Sequence, residues 1–518
     1  MRGRPFSLRT ATFRARAASS LIVVLAAITA ACSTVPAGAG AGQHVQNQRR
    51  AHHPVQQVRK ESPAHQVVEL TGHVVVVTTV TLSTYLNDSE RDGYYRADTT
   101  LTPGRVPRLA TKWVDNVRSV ISDQPVTYAG VVFFGAWNGY EYAVKASNGK
   151  SLWRSYLGRT ITPLKQGCSP AVAGVASTAT VANVDGSLHV ITGTGNGKIA
   201  SLDLATGKIA WQTRVAPILG GFEWSSPAVF GGSVYIGVSS FGDCPLVPGK
   251  MVMLNAKTGV IEHEFTTPLP KGCSGDGMWS SPAIDPQRHE LYITTGNANT
   301  SGGKNCYSAF ADALLAFGTS RVQLEGRWQI PKRLEFLNAD FGATPTLFTA
   351  RVGGKNLDLV GAASKDGVFY ALRRGNLRAG PVWTASVANS GDCPDCGEGS
   401  ISPAAFDGTN LYVAGGRTSI DAKPCNGSLR ALDPATGKTR WAHCFFAAVL
   451  AGVTETPGVV YAEYGPELNA LSAVSGKLLF RYFDHIHASI FYGPITPYGG
   501  SIYVGSTDGR MRAFAVKA

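Results

Sequence analysis

A repeated pattern of short strands constrains the fold of this 518-residue chain more than any other feature of its sequence. The segment Ala146-Ser-Asn-Gly-Lys-Ser-Leu-Trp153 recurs as Leu204–Trp211, Pro434–Trp441 and Ala473–Phe480, each a glycine turn followed by an aromatic residue. Upstream of these turns lie strands of the type Ser233-Val-Tyr-Ile-Gly237 and an innermost strand that begins with Ser or Thr before Pro. Four short strands in about 40–60 residues are typical of one blade of a β-propeller.

The number of blades follows from the aromatic residues that close them. These residues are Trp113, Trp153, Trp211, Phe265, Trp328, Trp383, Trp441 and Phe480. After Phe480 the chain supplies only three strands, so the missing outer strand must come from Leu109–Trp113 at the front. The sequence therefore predicts an all-β fold, an eight-bladed β-propeller of four-stranded antiparallel blades. Pairing of the N- and C-terminal strands would close the ring and remove exposed sheet edges.

The first 72 residues carry the features of an export signal and a tether. Basic residues, the apolar run Leu21–Ile28 and small residues before Cys32 predict a signal peptide over residues 1–32. Cys32 would be lipidated if cleavage follows the lipoprotein route, and the alternative is simple secretion. Residues 33–72 predict a flexible tether, residues 73–104 an extra strand over His73–Leu82 and a leading segment, and residues 105–518 the propeller.

The net charge of +13 does not indicate a nucleic-acid partner. Residues 1–60 contain nine Lys or Arg and no Asp or Glu, which leaves +4 on the other 458 residues. That is a modest surface charge rather than a basic patch. We expect an exported protein, a cell-surface or periplasmic lipoprotein or a secreted form, that meets a membrane only through its N-terminal anchor.

The cysteine content predicts disulfides. Apart from Cys32 there are eight cysteines, an even number in a chain with an export signal. Neighbours in sequence are expected to pair: Cys168–Cys244, Cys273–Cys306, Cys393–Cys396 and Cys425–Cys444. Cys393-Pro-Asp-Cys396 could be a redox motif, but no helical pattern follows it, which favours a bridge that pins a loop. The sequence contains no Cys-x-x-Cys-His motif, so no covalently attached haem is expected.

The turn-and-tryptophan repeat resembles that of the PQQ-like (quinoprotein alcohol dehydrogenase-like) propellers. Three segments, Tyr85–Asp88, Asp340-Phe-Gly-Ala-Thr-Pro345 and Ala363-Ser-Lys-Asp-Gly367, are similar to those of polyvinyl-alcohol-dehydrogenase-like members. The resemblance covers roughly residues 83–518. It indicates the fold more strongly than an activity, because many such propellers bind no quinone.

The resemblance implies roles for four residues. In active quinoproteins the quinone stacks on a tryptophan, and Trp279 matches that position in this chain. Asn297 matches the asparagine that binds Ca²⁺, and Lys365 matches the cation that contacts the quinone carbonyls. Asp340 would act as the catalytic base. These types suit a flat anionic cofactor, which needs an aromatic floor, a cation, oxygen ligands for a hard metal, and a base for the alcohol proton.

The chain also departs from the family's pattern. The position of the family's base falls near Leu337 or Asn338, so Asp340 would have to replace it. The position of the calcium glutamate falls near Asp243, which would have to serve as the second metal ligand. No two cysteines are adjacent in the sequence, so the family's vicinal disulfide ring is missing.

Each candidate residue also has a plain structural interpretation. Glu223 and Trp224, in Glu223-Trp-Ser-Ser-Pro, repeat the Trp279 motif and are further candidates for cofactor binding. Because of that repetition, Trp279 could equally be a residue that lines the central funnel at the start of any blade. Asn297 and Asp340 could cap turns, and Lys365 could be a solvated turn lysine.

The positions of four acidic residues predict a ring of carboxylates at one mouth of the central funnel. Glu223, Asp340, Glu398 and Glu455 are all predicted to precede innermost strands and therefore to face the same side. Such a ring could hold a cation or a polar ligand, or could be an ordinary hydrated channel.

The sequence leaves two functions open. The first is a binding or scaffold protein at the cell envelope, with an envelope protein or a glycan as partner, as in outer-membrane assembly lipoproteins with PQQ-like repeats. The missing base, calcium glutamate and vicinal cysteines favour it. The alternative is a PQQ- and Ca²⁺-dependent dehydrogenase that oxidises an alcohol, polyol or sugar and passes electrons to an external acceptor.

Overall fold

The computed structural model describes residues 67–70, 73–76, 79–161, 170–242, 245–300, 304, 306–331, 339–486 and 489–517. Their regular structure is β-strand apart from three short 3-10 turns, Val106–Arg108, Leu377–Ala379 and Pro394–Cys396. Within these ranges no helix is long and apolar enough to cross a bilayer. Several predictions concern positions outside the described residues: the signal peptide, Cys32, Asp243, Leu337, Asn338 and the Cys168–Cys244 pair.

Eight four-stranded antiparallel sheets form the propeller, as the repeat predicts. Strands are given from the innermost to the outermost. Sheet 1 consists of Val126–Tyr128, Val131–Gly135, Tyr140–Lys145 and Ser151–Tyr156, and sheet 2 of Thr180–Val184, Ser187–Gly193, Lys198–Asp203 and Ile209–Arg214. Sheet 3 consists of Ala228–Phe230, Ser233–Ser240, Lys250–Asn255 and Ile261–Thr266, and sheet 4 of Ala283–Asp285, Glu290–Thr294, Ala313–Gly318 and Leu324–Gln329. Sheet 5 consists of Thr346–Val352, Lys355–Ala363, Val368–Arg373 and Pro381–Ser386, and sheet 6 of Ala405–Phe406, Leu411–Gly415, Gly427–Leu432 and Thr439–Phe445. Sheet 7 consists of Thr454–Thr456, Val459–Tyr464, Glu467–Ser472 and Leu478–Phe483, and sheet 8 of Thr496–Tyr498, Ser501–Gly505, Arg510–Val516 and Leu109–Asn116.

The ring closes where the two ends of the propeller meet. Leu109–Asn116 pairs antiparallel with Arg510–Val516, and Trp113 lies opposite Ala513. The prediction that sheet 8 takes its outer strand from the front of the chain is therefore confirmed. Closure therefore completes the last sheet with a fourth strand, so that Arg510–Val516 is not an open edge beside the first sheet.

Short accessory strands decorate this ring. They are Thr160–Ile161 with Val172–Ala173, Gly221–Phe222 beside sheet 3, Cys273–Gly275 with Ala298–Thr300, and Thr418–Ile420 with Lys423–Cys425. Three of the predicted disulfides are present in these loops and in sheet 6, namely Cys273–Cys306, Cys393–Cys396 and Cys425–Cys444. Cys425–Cys444 ties an accessory strand to the outer strand of sheet 6, and the other two bridges lie in loops and accessory strands.

The closing tryptophans lock neighbouring sheets together. The indole N–H of Trp153 donates to the Leu204 carbonyl at 2.9 Å, and that of Trp211 donates to the Ala256 carbonyl at 3.0 Å. Both acceptors lie in the turn after the third strand of the next sheet along the chain. The indole of Trp153 also packs on the turn glycine Gly207, where an added Cβ would lie 2.6 Å from the ring. Turn and tryptophan therefore form one interlock, which explains why they recur together.

We expect Gly207→Ala to lower the free energy of unfolding by about 2–4 kcal/mol. The substitution combines a left-handed backbone, φ +67°, with a clash against Trp153. Gly186→Ala is the matched control, because Gly186 has φ +89° but no atom within 4 Å of the added Cβ; its cost should be about 1 kcal/mol. Urea unfolding followed by fluorescence compares the variants, and equal losses would argue against the interlock.

The run His73–Leu82, predicted as one extra strand, forms parts of two. His73–Val76 pairs with Val67–Leu70, which lies within the predicted tether. Thr79–Ser83 instead joins sheet 2 as a fifth strand, beside Thr180–Val184. Without Thr79–Ser83, the inner edge of Thr180–Val184 would present unpaired backbone groups.

Residues 84–98, which we call the axial segment, lie across the central channel. The segment accepts backbone hydrogen bonds from the innermost strands of sheets 4 to 7: Ile284 to Ser89 at 2.6 Å, Leu347 to Glu90 at 3.0 Å, Phe406 to Asp92 at 2.7 Å and Glu455 to Gly93 at 2.9 Å. These amides face the propeller axis, where no neighbouring blade strand can pair with them. The axial segment therefore satisfies inner edges that a bare ring would leave open.

Arg91 fixes the axial segment in the interior. Its side chain is fully buried, and its guanidinium donates to the carbonyls of Pro282 at 2.9 Å, Tyr85 at 2.6 Å and Pro227 at 3.3 Å, and to Thr84 Oγ1 at 2.8 Å. Burial lowers the pKa of Arg91 to about 10, which leaves it charged at neutral pH. One side chain thus joins the axial segment to the start of sheets 3 and 4.

Candidate functional site

The loops that precede the eight innermost strands surround a cavity on the propeller axis. Each sheet contributes to its wall, through Gln124, Thr178, Ser226, Ser281, Thr344, Pro403, Gly452 and Pro494 in order from sheet 1 to sheet 8. The axial segment contributes Tyr85. The cavity is therefore a product of ring closure, because no single blade forms more than a fraction of it.

A buried ion pair contributes one of its two partners, Asp340, to the cavity wall. Lys365 Nζ contacts Asp340 Oδ2 directly, and their side chains are 1% and 2% exposed. The other carboxylate oxygen, Oδ1, accepts the backbone N–H of Asn297 at 2.7 Å. Asp340 and Asn297 both line the cavity, with Lys365 behind the carboxylate. Two opposed contacts hold the carboxylate in one orientation, and the lysine balances its charge in a region of low dielectric.

Trp279 lies beside this ion pair. It lines the cavity and is half-buried. Two glycines leave space around its ring: an added Cβ at Gly342 would lie 2.3 Å from Trp279 Cη2, and one at Gly296 would lie 3.2 Å from Nε1 and 2.5 Å from Asp340 Oδ1. The structure thus brings together Trp279, Asn297, Asp340 and Lys365, which are far apart in sequence. Their chemical roles remain predictions.

Trp224 also lines the cavity, as part of an aromatic wall. Its ring is parallel to that of Phe241, with centroids 6.1 Å apart, and it lies 6.3 Å from Trp137. Its indole N–H donates to the Ser240 carbonyl at 3.1 Å. These contacts give Trp224 a packing role against side chains of sheets 1 and 3.

The four acids do not form a ring at the mouth. Asp340 lines the cavity, but Glu223 is 1% exposed and packs against Gly193 in sheet 2. The expectation was wrong for Glu455, which lies within Thr454–Thr456 and pairs through its backbone with the axial segment. The reason is local: the proline of this blade, Pro457, follows the innermost strand instead of preceding it. Glu398 accepts the Cys393 N–H at 3.3 Å within its own loop.

Glu223 stands where the same motif in sheet 4 has Met278, and this comparison gives a prediction. Neither carboxyl oxygen of Glu223 has a hydrogen-bond partner among the described residues. Burial raises its pKa well above the ordinary value of 4.5, against a smaller lowering by Arg214. A raised pKa in the folded state means that the wild type loses stability as pH rises above about 4.5, where the unfolded chain ionises.

Glu223→Met should therefore stabilise the protein at pH 8 by about 1–3 kcal/mol, with a smaller gain at pH 4. Chemical unfolding at the two pH values measures the difference. A gain that is the same at both would show that the carboxyl group does not titrate on unfolding.

Sequence reasoning missed several residues that line the cavity. Asp123, Ile401 and Tyr492 each lie two residues before a Pro that stands ahead of an innermost strand, one position later than Trp279, which lies three residues before Pro282. A search of the three residues before that Pro in every blade would have found them. Tyr85 could not be found in this way, because it comes from the axial segment, which is outside the repeat.

Comparison with known proteins identifies the class that this ring and cavity define, the PQQ-like propellers. A family profile described as "Outer membrane protein assembly factor BamB" matches residues 110–309 and 425–518, more than half of the chain. The chain belongs to this family.

Curated relatives carry dehydrogenase names. The chain is 26% identical over 438 residues to a polyvinylalcohol dehydrogenase of a Pseudomonas species, with 74% of this chain and 64% of that protein covered. It is 25% identical over 460 residues to the quinoprotein alcohol dehydrogenase PedH of Pseudomonas putida, with 76% and 72% covered. The chain thus spans less than two thirds of the first of these relatives.

Solved structures confirm the fold. The quinohemoprotein alcohol dehydrogenase of Comamonas testosteroni superposes with a TM-score of 0.67 at 17% identity, over 85% of this chain and 81% of that one. BamB of Moraxella catarrhalis superposes with a TM-score of 0.52 at 14% identity, over 79% and 99%. At these identities the likeness concerns the fold alone, and it is shared by an enzyme and an assembly factor.

Proposed function

We propose that this protein is an exported PQQ-dependent dehydrogenase that oxidises the hydroxyl group of an alcohol, polyol or sugar. The observation that carries the proposal is the cavity itself, where a half-buried tryptophan lies beside a buried Asp340–Lys365 pair. The dehydrogenase names of the curated relatives support this function over the envelope binding or scaffold function that the sequence favours.

The residues present fit a flat quinone and a hard cation. Trp279 offers an aromatic face, and glycines at positions 296 and 342 keep the space beside it open. Asn297 would be a calcium ligand through its side-chain oxygen, the donor type that Ca²⁺ prefers. The Ser239 hydroxyl lines the cavity and has no hydrogen-bond partner within the described ranges, so a polar ligand could bind it. The predicted ligand Asp243 lies outside those ranges.

Asp340 would accept the proton of the substrate hydroxyl. Its Oδ1 is held by the Asn297 N–H and its Oδ2 by Lys365, so the carboxylate is fixed before the substrate arrives. Lys365 would also keep the site neutral while Asp340 is ionised. When bound, PQQ supplies the two-electron acceptor for oxidation of the alcohol carbon, and calcium supplies a Lewis acid.

One observation favours the second candidate function, binding of an envelope protein or glycan. Among the described residues that line the cavity there is no lysine or arginine. A tricarboxylate such as PQQ needs cationic or multiple hydrogen-bonding partners for its acid groups. The matching family profile is described as an outer membrane protein assembly factor, which is in line with this candidate.

Reconstitution distinguishes the two candidates. Purified mature protein mixed with PQQ and near-millimolar Ca²⁺ should retain quinone absorbance after gel filtration and should reduce a dye when alcohols are added. Trp279→Ala should weaken quinone binding on the order of tenfold or more, whereas Tyr156→Ala, at a half-exposed tyrosine on the outer strand of sheet 1, should not. Absence of bound quinone in the wild type would refute the dehydrogenase and leave the binding function.

A further inference from the structure

A loop on the rim of the cavity carries polar side chains that the proposed reaction does not use. This rim loop, residues 387–404, contains the Cys393–Cys396 disulfide around the 3-10 turn Pro394–Cys396. The Gly391 N–H donates to the Lys365 carbonyl at 3.1 Å, and an added Cβ at Gly399 would lie 2.3 Å from the same oxygen. The rim loop therefore packs directly on the turn that carries Lys365.

Asp395, inside the disulfide, reaches the cavity through Tyr492. The Tyr492 hydroxyl donates to Asp395 Oδ1 at 3.3 Å, and Tyr492 lines the cavity. Asp395 Oδ2 is buried and has no hydrogen-bond partner in the described part of the chain. The contact joins the loop before sheet 6 to the loop before sheet 8, across the loop before sheet 7.

This arrangement fixes what Tyr492 can offer to a ligand. A phenol has one hydrogen to donate, and Tyr492 gives it to Asp395. Its oxygen can then only accept a hydrogen bond from a group in the cavity. An acceptor selects ligands with a donor at that position, and a site built in this way discriminates strongly against analogues that lack the donor.

We propose that Tyr492 is a specificity-determining residue whose phenol oxygen, oriented by Asp395, accepts a hydrogen bond from a second hydroxyl group of the substrate. The proposal rests on the proposed function, because the first hydroxyl is the one that gives its proton to Asp340. The hydrogen bond to the Tyr492 oxygen selects diols, polyols and sugars over simple alcohols. Ser226, Ser281 and Thr344, which precede sheets 3 to 5, add polar side chains to other parts of the cavity wall.

The protonation of Asp395 should govern this selection. Burial raises the pKa of Asp395 to about 7, while its hydrogen bond from Tyr492 and the charge of Lys365 lower it. The other charged groups nearby are Arg417, which contacts the Cys396 carbonyl, and Glu398 in the rim loop. Above pH 7 the ionised Asp395 can only accept, which holds the Tyr492 hydrogen away from the cavity. Below pH 7 the neutral acid can itself donate, so that orientation is no longer enforced.

The first test compares propane-1,3-diol with propan-1-ol on the quinone-loaded protein. The ratio of their kcat/KM values should fall about tenfold in Tyr492→Phe, and it should not change in the control Tyr156→Phe. In the wild type the ratio should rise between pH 6 and pH 8, and Asp395→Asn should remove that dependence, whereas Asp392→Asn in the same loop should preserve it. An unchanged ratio in Tyr492→Phe would overturn the proposal while leaving the dehydrogenase intact.

The second test uses the quinone-free protein, so that it does not depend on activity. Binding of propane-1,3-diol is measured by tryptophan fluorescence, since Trp279 and Trp224 line the cavity. The dissociation constant should rise several-fold in Tyr492→Phe and not in Tyr156→Phe. If the wild type retains no PQQ but this difference is found, the proposed function fails and the hydroxyl-binding role of Tyr492 stands. Equal affinities in the two variants would count against that role.

Discussion

Deletion of residues 105–116 is expected to leave a chain that cannot form a stable propeller. The deletion removes the outer strand of sheet 8, so that the whole length of Arg510–Val516 becomes an exposed edge. It also removes Trp113, which is 9% exposed and donates to the Ala146 carbonyl at 3.0 Å across the junction of sheets 8 and 1. Removal of one buried tryptophan alone costs about 3–5 kcal/mol, and a whole domain is stable by only about 5–15 kcal/mol.

The matched control is deletion of residues 67–76. This segment contains the hairpin Val67–Leu70 with His73–Val76, whose strands pair only with each other among the described residues. Its removal should leave the thermal midpoint nearly unchanged. Circular dichroism melting and gel filtration of the two truncated proteins make the comparison. A cooperative transition at the wild-type temperature in the 105–116 deletion would show that closure does not hold the ring together.

Asp340→Asn is expected to lower kcat of the reconstituted enzyme by about 10²–10⁴-fold, the usual contribution of a general base. The same change removes the negative charge that Lys365 contacts in this buried site. Loss of one partner of a buried ion pair costs about 3–5 kcal/mol of stability. Lys365→Met should cost a similar amount, because it removes the positive charge that contacts the Asp340 carboxylate.

The double variant Asp340→Asn with Lys365→Met separates catalysis from folding. Removal of both charges restores the charge balance of the buried site, so stability should return to within about 1–2 kcal/mol of the wild type. Activity should stay at the level of Asp340→Asn. Chemical unfolding and dye-reduction rates are measured on all four proteins. Recovery of activity in the double variant would show that Asp340 acts through folding and not as the base.

The candidate site could be predicted from the sequence only in part. Trp279, Asn297, Asp340 and Lys365 were found because they fall in motifs that resemble those of a known family, and the structure places them side by side. Glu455 was misplaced, because Thr456-Pro457 stands at the end of the innermost strand of sheet 7, whereas the corresponding Ser/Thr-Pro pairs stand before that strand in sheets 3 to 6. A local motif shows where a strand is expected, but the hydrogen-bonding partners decide where it begins.

Periodicity alone was enough for the architecture: the spacing of glycine turns and aromatic residues set the number of blades and required the front strand to close the last one. This worked because each blade buries its own strands and one aromatic residue against the next blade, so the physics repeats with the sequence. The axial segment, with Arg91 at its centre and Tyr85 in the cavity, and the contact between Asp395 and Tyr492 were decided only in three dimensions. They join residues from different blades, and no short-range pattern specifies which side chains meet across the axis of a ring.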